Sequence, residues 1–281
     1  AGGDLNTARA SIAGAGTQTA GLAIAGNAPP VTNSSEEYDG TSWTAGGNLG
    51  TARSYLAGMG TQTAGLAYGG DEAPGYSGKT EEYDGSSWTE SGDLNTARSM
   101  LAGAGLQTAG IAFGGDTPPS TAIAESYDGS SWTEVGDLNT ARIRLGGAGL
   151  QTAALAFGGY VTANSALTES YDGTSWTEVA DLSTARERIG GAGTNTAALC
   201  SGGYISANSD LTEEFNFTTM TVTGAAWASG GNLNTGRRDL GGTGTQTAGL
   251  AFGGDTDPGY SAVTEEYNGT SLSNANNMRQ A

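Results

Sequence analysis

Hydrophobic residues along this chain come in short bursts, each closed by glycine or a turn residue. In one stretch Ser54 to Gly60 is followed by the turn Thr61-Gln62-Thr63, and Ala64 to Tyr68 ends at Gly69-Gly70. A variable loop then leads to Glu81-Glu82-Tyr83, the turn Asp84-Gly85-Ser86, and Ser87-Trp88-Thr89. Bursts of this length are too short for helices and are punctuated at strand spacing, so four strands are predicted. Asp-Gly pairs beginning at Asp39, Asp84, Asp128 and Asp172 fall where a tight hairpin turn needs positive φ.

The same succession recurs six times. Arg9, Arg53, Arg98, Arg142, Arg186 and Arg237 each follow Thr-Ala or Thr-Gly, at spacings of 44, 45, 44, 44 and 51 residues. An aromatic follows each Arg by 29 or 30 residues: Tyr38, Tyr83, Tyr127, Tyr171, Phe215 and Tyr267. Five residues further on come Trp43, Trp88, Trp132 and Trp176; the fifth repeat reaches Trp227 after twelve, and the sixth has Leu272 in that slot. Every Trp is ten residues before the next Arg, so the long spacing is one seven-residue insertion, Thr218 to Gly224. It reads as an elongated hairpin. Four strands per unit and a period near 44 fit a propeller blade better than a solenoid coil.

The recurring order is an Arg, a small-residue strand, an apolar strand ending in Gly-Gly, a Glu-x-Tyr strand and a Trp. It resembles the kelch repeat over the whole chain. That resemblance implies an all-β fold, a six-bladed β-propeller of four-stranded blades around a channel. One domain over 1–281 is expected, with repeats at 9–52, 53–97, 98–141, 142–185, 186–236 and 237–281, and 1–8 as lead-in. The first strand is poor in large residues, as in Ala13-Gly14-Ala15-Gly16, which suits six strands crowded on a narrow axis. The chain stops one residue before a seventh Arg would fall. The sixth blade therefore supplies its own outer strand around Ser271 to Asn274, and the ring closes without strand exchange between termini.

Composition removes many functions. The 281 residues include no His and a single cysteine, Cys200, so zinc fingers, histidine-ligated metals, Ser-His-Asp or Cys-His catalysis and disulfide frameworks lack their parts. Copper oxidases that resemble kelch proteins in fold need histidine ligands absent here. A formal charge of −18 disfavours contact with nucleic-acid backbones. No apolar run approaches the roughly 20 residues that span a bilayer. The chain opens on Ala1, which points to a processed product or a segment of a longer protein.

A residue needed six times is better explained by packing than by catalysis. The Trp and Tyr sets are expected to bury apolar area between blades. The six arginines are expected to pair with acids such as Glu36, Glu81 and Glu213 and to lie on indole faces. Adjacent acids such as Glu36-Glu37 point to opposite faces of a strand, so they cannot converge on one glycosidic bond. The Gly-Gly pairs lead into strands, so no helix N-terminus is present to hold phosphate.

Variation concentrates in the loop after Gly-Gly, from NAPPVTNSS in the first repeat to DTDPGYSAVT in the sixth. Strands alternate direction, so all these loops emerge on one rim, opposite the insertion, and divergent loops on a rigid scaffold are how binding surfaces are built. Tyr76, Tyr160, Tyr204 and Tyr260, with Asp71, Asp116 and Asp255, are the candidate ligand-binding residues; tyrosines beside acids suit stacking on sugar rings and bonding their hydroxyls. No catalytic or metal residue is assigned. Oxygen-rich loops are compatible with Ca²⁺, but no Asp-x-Asp-x-Asp-Gly run occurs, so no cofactor is expected.

The style of the repeats is similar to kelch arrays of phage tail-associated and bacterial surface proteins. That similarity implies a non-enzymatic structural or host-attachment module, extracellular or on a virion, that binds a glycan or surface protein and belongs to a larger assembly. An intracellular adaptor for acidic peptides is the alternative. It ranks lower because the variable loops supply Lys79 alone as a cation. A polysaccharide lyase or hydrolase is a third reading, for which no acid, base and nucleophile can be named.

Overall fold

Glycine and alanine make up the strand nearest the axis in every repeat, as in Ala13–Thr17, Ala57–Thr61, Ala102–Leu106 and Gly146–Leu150. The computed structural model describes residues 3–217 and 226–274. Six four-stranded antiparallel sheets follow one another along the chain, each formed from one repeat. In the first blade the strands run Ala13–Thr17, Ala20–Asn27, Val31–Tyr38 and Trp43–Ala45. Each inner strand packs against the inner strands of its two neighbours, and the first against the sixth, Gly241–Thr245. The fold is a closed six-bladed β-propeller. Its last outer strand, Leu272–Asn274, comes from the sixth repeat itself, so no strand is exchanged.

Small residues are needed in the inner strands for a more specific reason than crowding at the axis. A Cβ on Gly147 would lie 2.6 Å from the carbonyl oxygen of Gly103 one blade back, and one on Gly191 would lie 2.5 Å from that of Gly147. Glycine lets neighbouring blades touch backbone to backbone. The inner strands also start later than the hydrophobic pattern predicts: in the second blade at Ala57, not Ser54. Tyr55 takes a left-handed φ of 53°, which interrupts the strand.

Between blades the recurring residues form three kinds of contact. Trp43 stacks 5.0 Å from Tyr38 of its own blade and 5.0 Å from Phe252 of the preceding one; Trp132, Trp176 and Trp227 repeat this sandwich. The glutamine of the Thr-Gln-Thr turn reaches back across the seam. Gln62 Nε2 donates to the carbonyl oxygens of Gly21 and Tyr38, at 3.1 and 2.6 Å. The second acid of each Glu-Glu pair accepts the next blade's phenol: Glu37 from Tyr83, Glu82 from Tyr127, Glu214 from Tyr267, and Glu266 from Tyr38. Burial, then the bond to the acid, pushes Tyr127 and Tyr267 up to about 12. Blade 4 has Ser170 in the acid's place, and the facing residue in blade 5 is Phe215, which has no hydroxyl to offer.

All six repeat arginines are fully buried. Each pairs with the first acid of its own blade, as in Arg53–Glu81 at 2.7 Å and Arg142–Glu169 at 2.9 Å. Desolvation pulls the guanidinium pKa of Arg53 and Arg142 down, against the pull of those carboxylates. The expected indole contact is corrected: among the described residues none of these arginines lies over a ring, and tyrosine and phenylalanine fill both faces of Trp43, Trp132, Trp176 and Trp227. The Arg-bearing connector ties two blades together. For the first repeat this connector is the lead-in: Leu5 N–H donates to Ala262 O in blade 6, while Asn6 Nδ2 donates to Glu36 in blade 1. The seam between the chain's two ends is thus bridged by its own first residues.

Candidate functional site

The connectors and the loops after Gly-Gly share one face, since they pair through isolated bridges such as Ser54–Asp71 and Glu187–Tyr204. The insertion Thr218 to Gly224 lies outside the described residues. Two features of this face have the geometry of a site: the axial mouth and the outer rim between blades 5, 6 and 1.

At the mouth, the residue two places after each repeat arginine projects from a closed ring. Ser11, Tyr55, Met100, Arg144, Arg188 and Asp239 all have left-handed φ between 53° and 58°. Each backbone N–H donates to the carbonyl oxygen of the preceding member at 2.8–3.0 Å, and Ser11 closes the circuit on Asp239. A left-handed non-glycine residue costs of order 1 kcal/mol, and the circuit holds all six there. The backbone repeats while the side chains do not. Together with the next residue of each connector they line a cavity of about 90 Å³.

Charge gathers on one half of that ring. Glu187 bonds Arg144 at 3.0 Å, and Asp239 bonds Arg188 at 3.0 Å. Desolvation draws Arg188 down, yet Asp239 and Tyr55 outweigh it and its pKa ends above the usual value. Desolvation also raises the Asp239 carboxyl, in spite of Arg188, Arg144 and Arg238. The network runs outward through Arg238, which bonds Asp255 at 2.8 Å and Asn208 at 3.0 Å and stacks 5.3 Å from the Tyr204 ring centre.

The candidate residues of the variable loops do not converge on one point. Tyr76 is exposed and donates to Asp116 of the next blade at 2.8 Å. Asp71 is half-buried beneath it, paired through the short ribbon of Asp71–Glu72 with Gly75–Tyr76. Tyr160 donates to Thr162 O within its own loop. Tyr204, Tyr260 and Asp255 do gather. An open cleft of about 440 Å³ contains Tyr204, Asn208, Arg238 and Asp257, and a second of about 430 Å³ contains Pro29, Asp255, Pro258 and Tyr260. Tyr260 accepts from Asn27 Nδ2 at 2.9 Å, which ties blade 6 to blade 1.

The expectation that Lys79 is the rim's one cation is corrected by Arg144, Arg188 and Arg238, which share its face. Their signal was present next to the repeat arginines. The two residues after them read Ala-Ser, Ser-Tyr, Ser-Met, Ile-Arg, Glu-Arg and Arg-Asp, a divergence as wide as that of any loop. Among the described residues no group of three or more acids or cysteines is placed to hold a metal ion.

No family model matches the chain, and no curated protein matches it. Among solved structures, that of YjhT is similar with a TM-score of 0.79 at 12% identity, over 97% of this chain and 99% of the other. A likeness at that identity bears on the fold alone, and it agrees with the propeller described above.

Proposed function

We propose that this propeller is a non-enzymatic recognition module of the kelch type, working outside a cell or on a virion surface and binding a glycan through the rim of blades 5, 6 and 1. The observation that supports this most is the division of labour within one repeat. Most residues that bridge blades recur from repeat to repeat, while the divergence of the loops after Gly-Gly gathers on one face, where the two clefts open beside Tyr204 and Tyr260. Aromatic faces next to Asn208, Asp255 and Asp257 suit a ring with hydroxyls around its edge. Asp255 at the clefts serves as the partner of Arg238, which favours binding over acid–base chemistry. High negative charge suits a soluble surface exposed to salt.

A glycan array probed with the whole chain tests this. At least one glycan class should bind, and Tyr204→Ala with Tyr260→Ala should reduce that signal about tenfold, with thermal unfolding reporting that the variant folds. A blank array, or a signal indifferent to both substitutions, rejects the proposal.

A further inference from the structure

The chain has 11 lysines and arginines against 29 acids, and six of the 11 are the buried repeat arginines. Arg279 lies outside the described residues. Of the remaining four, Lys79 is bound to Glu72 at 2.9 Å. The other three are ion-paired as well: Arg144 and Arg188 stand together at the axial mouth, while Arg238 lies outside it in the rim cleft, on Asp255. Solubility alone would be served by scattering such charges.

Arg144 and Arg188 both stand on the hydrogen-bonded ring, so their Cβ positions are fixed by a backbone circuit that does not depend on their side chains. Glu187 and Asp239 each accept from one terminal nitrogen, Nη1, and orient the guanidinium. The other, Nη2, has no hydrogen-bond partner among the described residues. The two side chains remain 22% and 21% exposed at the mouth. The cavity of about 90 Å³ has room for a carboxylate and the few atoms that carry it, and its open mouth leaves the rest of a ligand outside. Tyr55 and Met100 line its other half with apolar surface.

We propose that the axial mouth is a carboxylate-binding site, in which Arg144 and Arg188 hold the two oxygens and Tyr55 and Met100 cover the carbon that bears them. Charge-assisted bonds from two fixed guanidinium groups in a partly dry cavity give the preference for an anion. The site is separate from the rim clefts, so it stands or falls independently of the glycan reading. The carboxylate comes either on a small free acid or on the end unit of a longer acidic chain.

Calorimetric titration of the whole chain at low salt tests this with galacturonate, trigalacturonate and the methyl ester of galacturonate. Galacturonate should bind at least tenfold more tightly than its neutral ester. Arg144→Gln and Arg188→Gln should each weaken it about tenfold or more. Asp239→Asn should tighten it several-fold, because it removes a nearby negative charge and leaves an oxygen for Arg188; loss of a merely structural contact would not change affinity in that direction. Thermal unfolding reports whether each variant folds, and Arg144→Gln with Asp239→Asn suffices if Arg188→Gln does not. Equal affinity for monomer and trimer identifies a small acid as the ligand, and a much tighter trimer identifies a chain end. Equal binding of acid and ester overturns the proposal. So does affinity unchanged in both arginine variants, or binding of an acidic peptide with none of the three sugars.

Discussion

At the scale of single residues, the six repeats act as internal controls on one another. The indole nitrogens of Trp43, Trp132 and Trp227 donate to threonine hydroxyls one blade back, at 3.0, 2.9 and 3.1 Å to Thr264, Thr80 and Thr168. Trp176 faces Ala124 in the equivalent place, and its buried Nε1 has no partner. An unmade buried hydrogen bond costs about 1–3 kcal/mol. Ala124→Thr should therefore raise stability by about 1 kcal/mol, read as a melting temperature roughly 2 °C higher. An unchanged or lower value in calorimetry would show that the slot has no room for the hydroxyl, unlike its counterparts at Thr80 and Thr168. The glutamines that recur in five of the six turns show what single-chain reading misses. Gln62 and Gln107 are conspicuous in the sequence only as a repeated Thr-Gln-Thr or Leu-Gln-Thr, because the carbonyls they serve lie more than twenty residues away in another blade.

At the scale of the strand, period and punctuation were legible and contact was not. Strand count, the hairpin turns and the outer-strand slot followed from spacing, since each is decided within about five residues. The start of the inner strands was misplaced at Ser54 because the left-handed turn at Tyr55 is imposed by neighbouring blades, not by residues nearby. For the same reason the mouth went unseen: its members are 44 to 51 residues apart in sequence and adjacent only in the ring. The glycines give a direct test of how tightly the inner strands pack. Gly147→Ala would place its methyl carbon 2.6 Å from a backbone oxygen that cannot step aside, whereas Gly75→Ala meets nothing within 4 Å. Chemical denaturation should show a loss of about 1–3 kcal/mol for the first and a change near zero, or slightly favourable, for the second. Equal effects would mean that blades give way at the axis.

For the whole molecule, the weakest join is not where the chain begins and ends. That seam has Trp43 against Phe252, Tyr38 on Glu266, Gln18 reaching the carbonyls of Gly249 and Tyr267, and the lead-in laid across it. The join between blades 5 and 6 is poorer. The outer-strand tryptophan is replaced by Leu272, the aromatic it would stack on is replaced by Ser201, and the buried hydroxyl of Thr212 is left without a partner. These three departures fall on one contact that at Trp43, Trp132 and Trp227 joins a tryptophan, an aromatic and a hydroxyl, so they belong together energetically. Leu272→Trp alone should gain little, since its ring would stand over a serine. Ser201→Phe alone would crowd a slot shaped around leucine. Together they rebuild the sandwich found at four other joins, and an aromatic pair adds about 0.5–1.5 kcal/mol beyond its buried area. A double-mutant cycle measured by urea denaturation should therefore give a favourable coupling of about 1 kcal/mol between positions 201 and 272. A coupling near zero would mean that the two sites do not share a contact, and that the poorer chemistry of this join does not make it the ring's weak point.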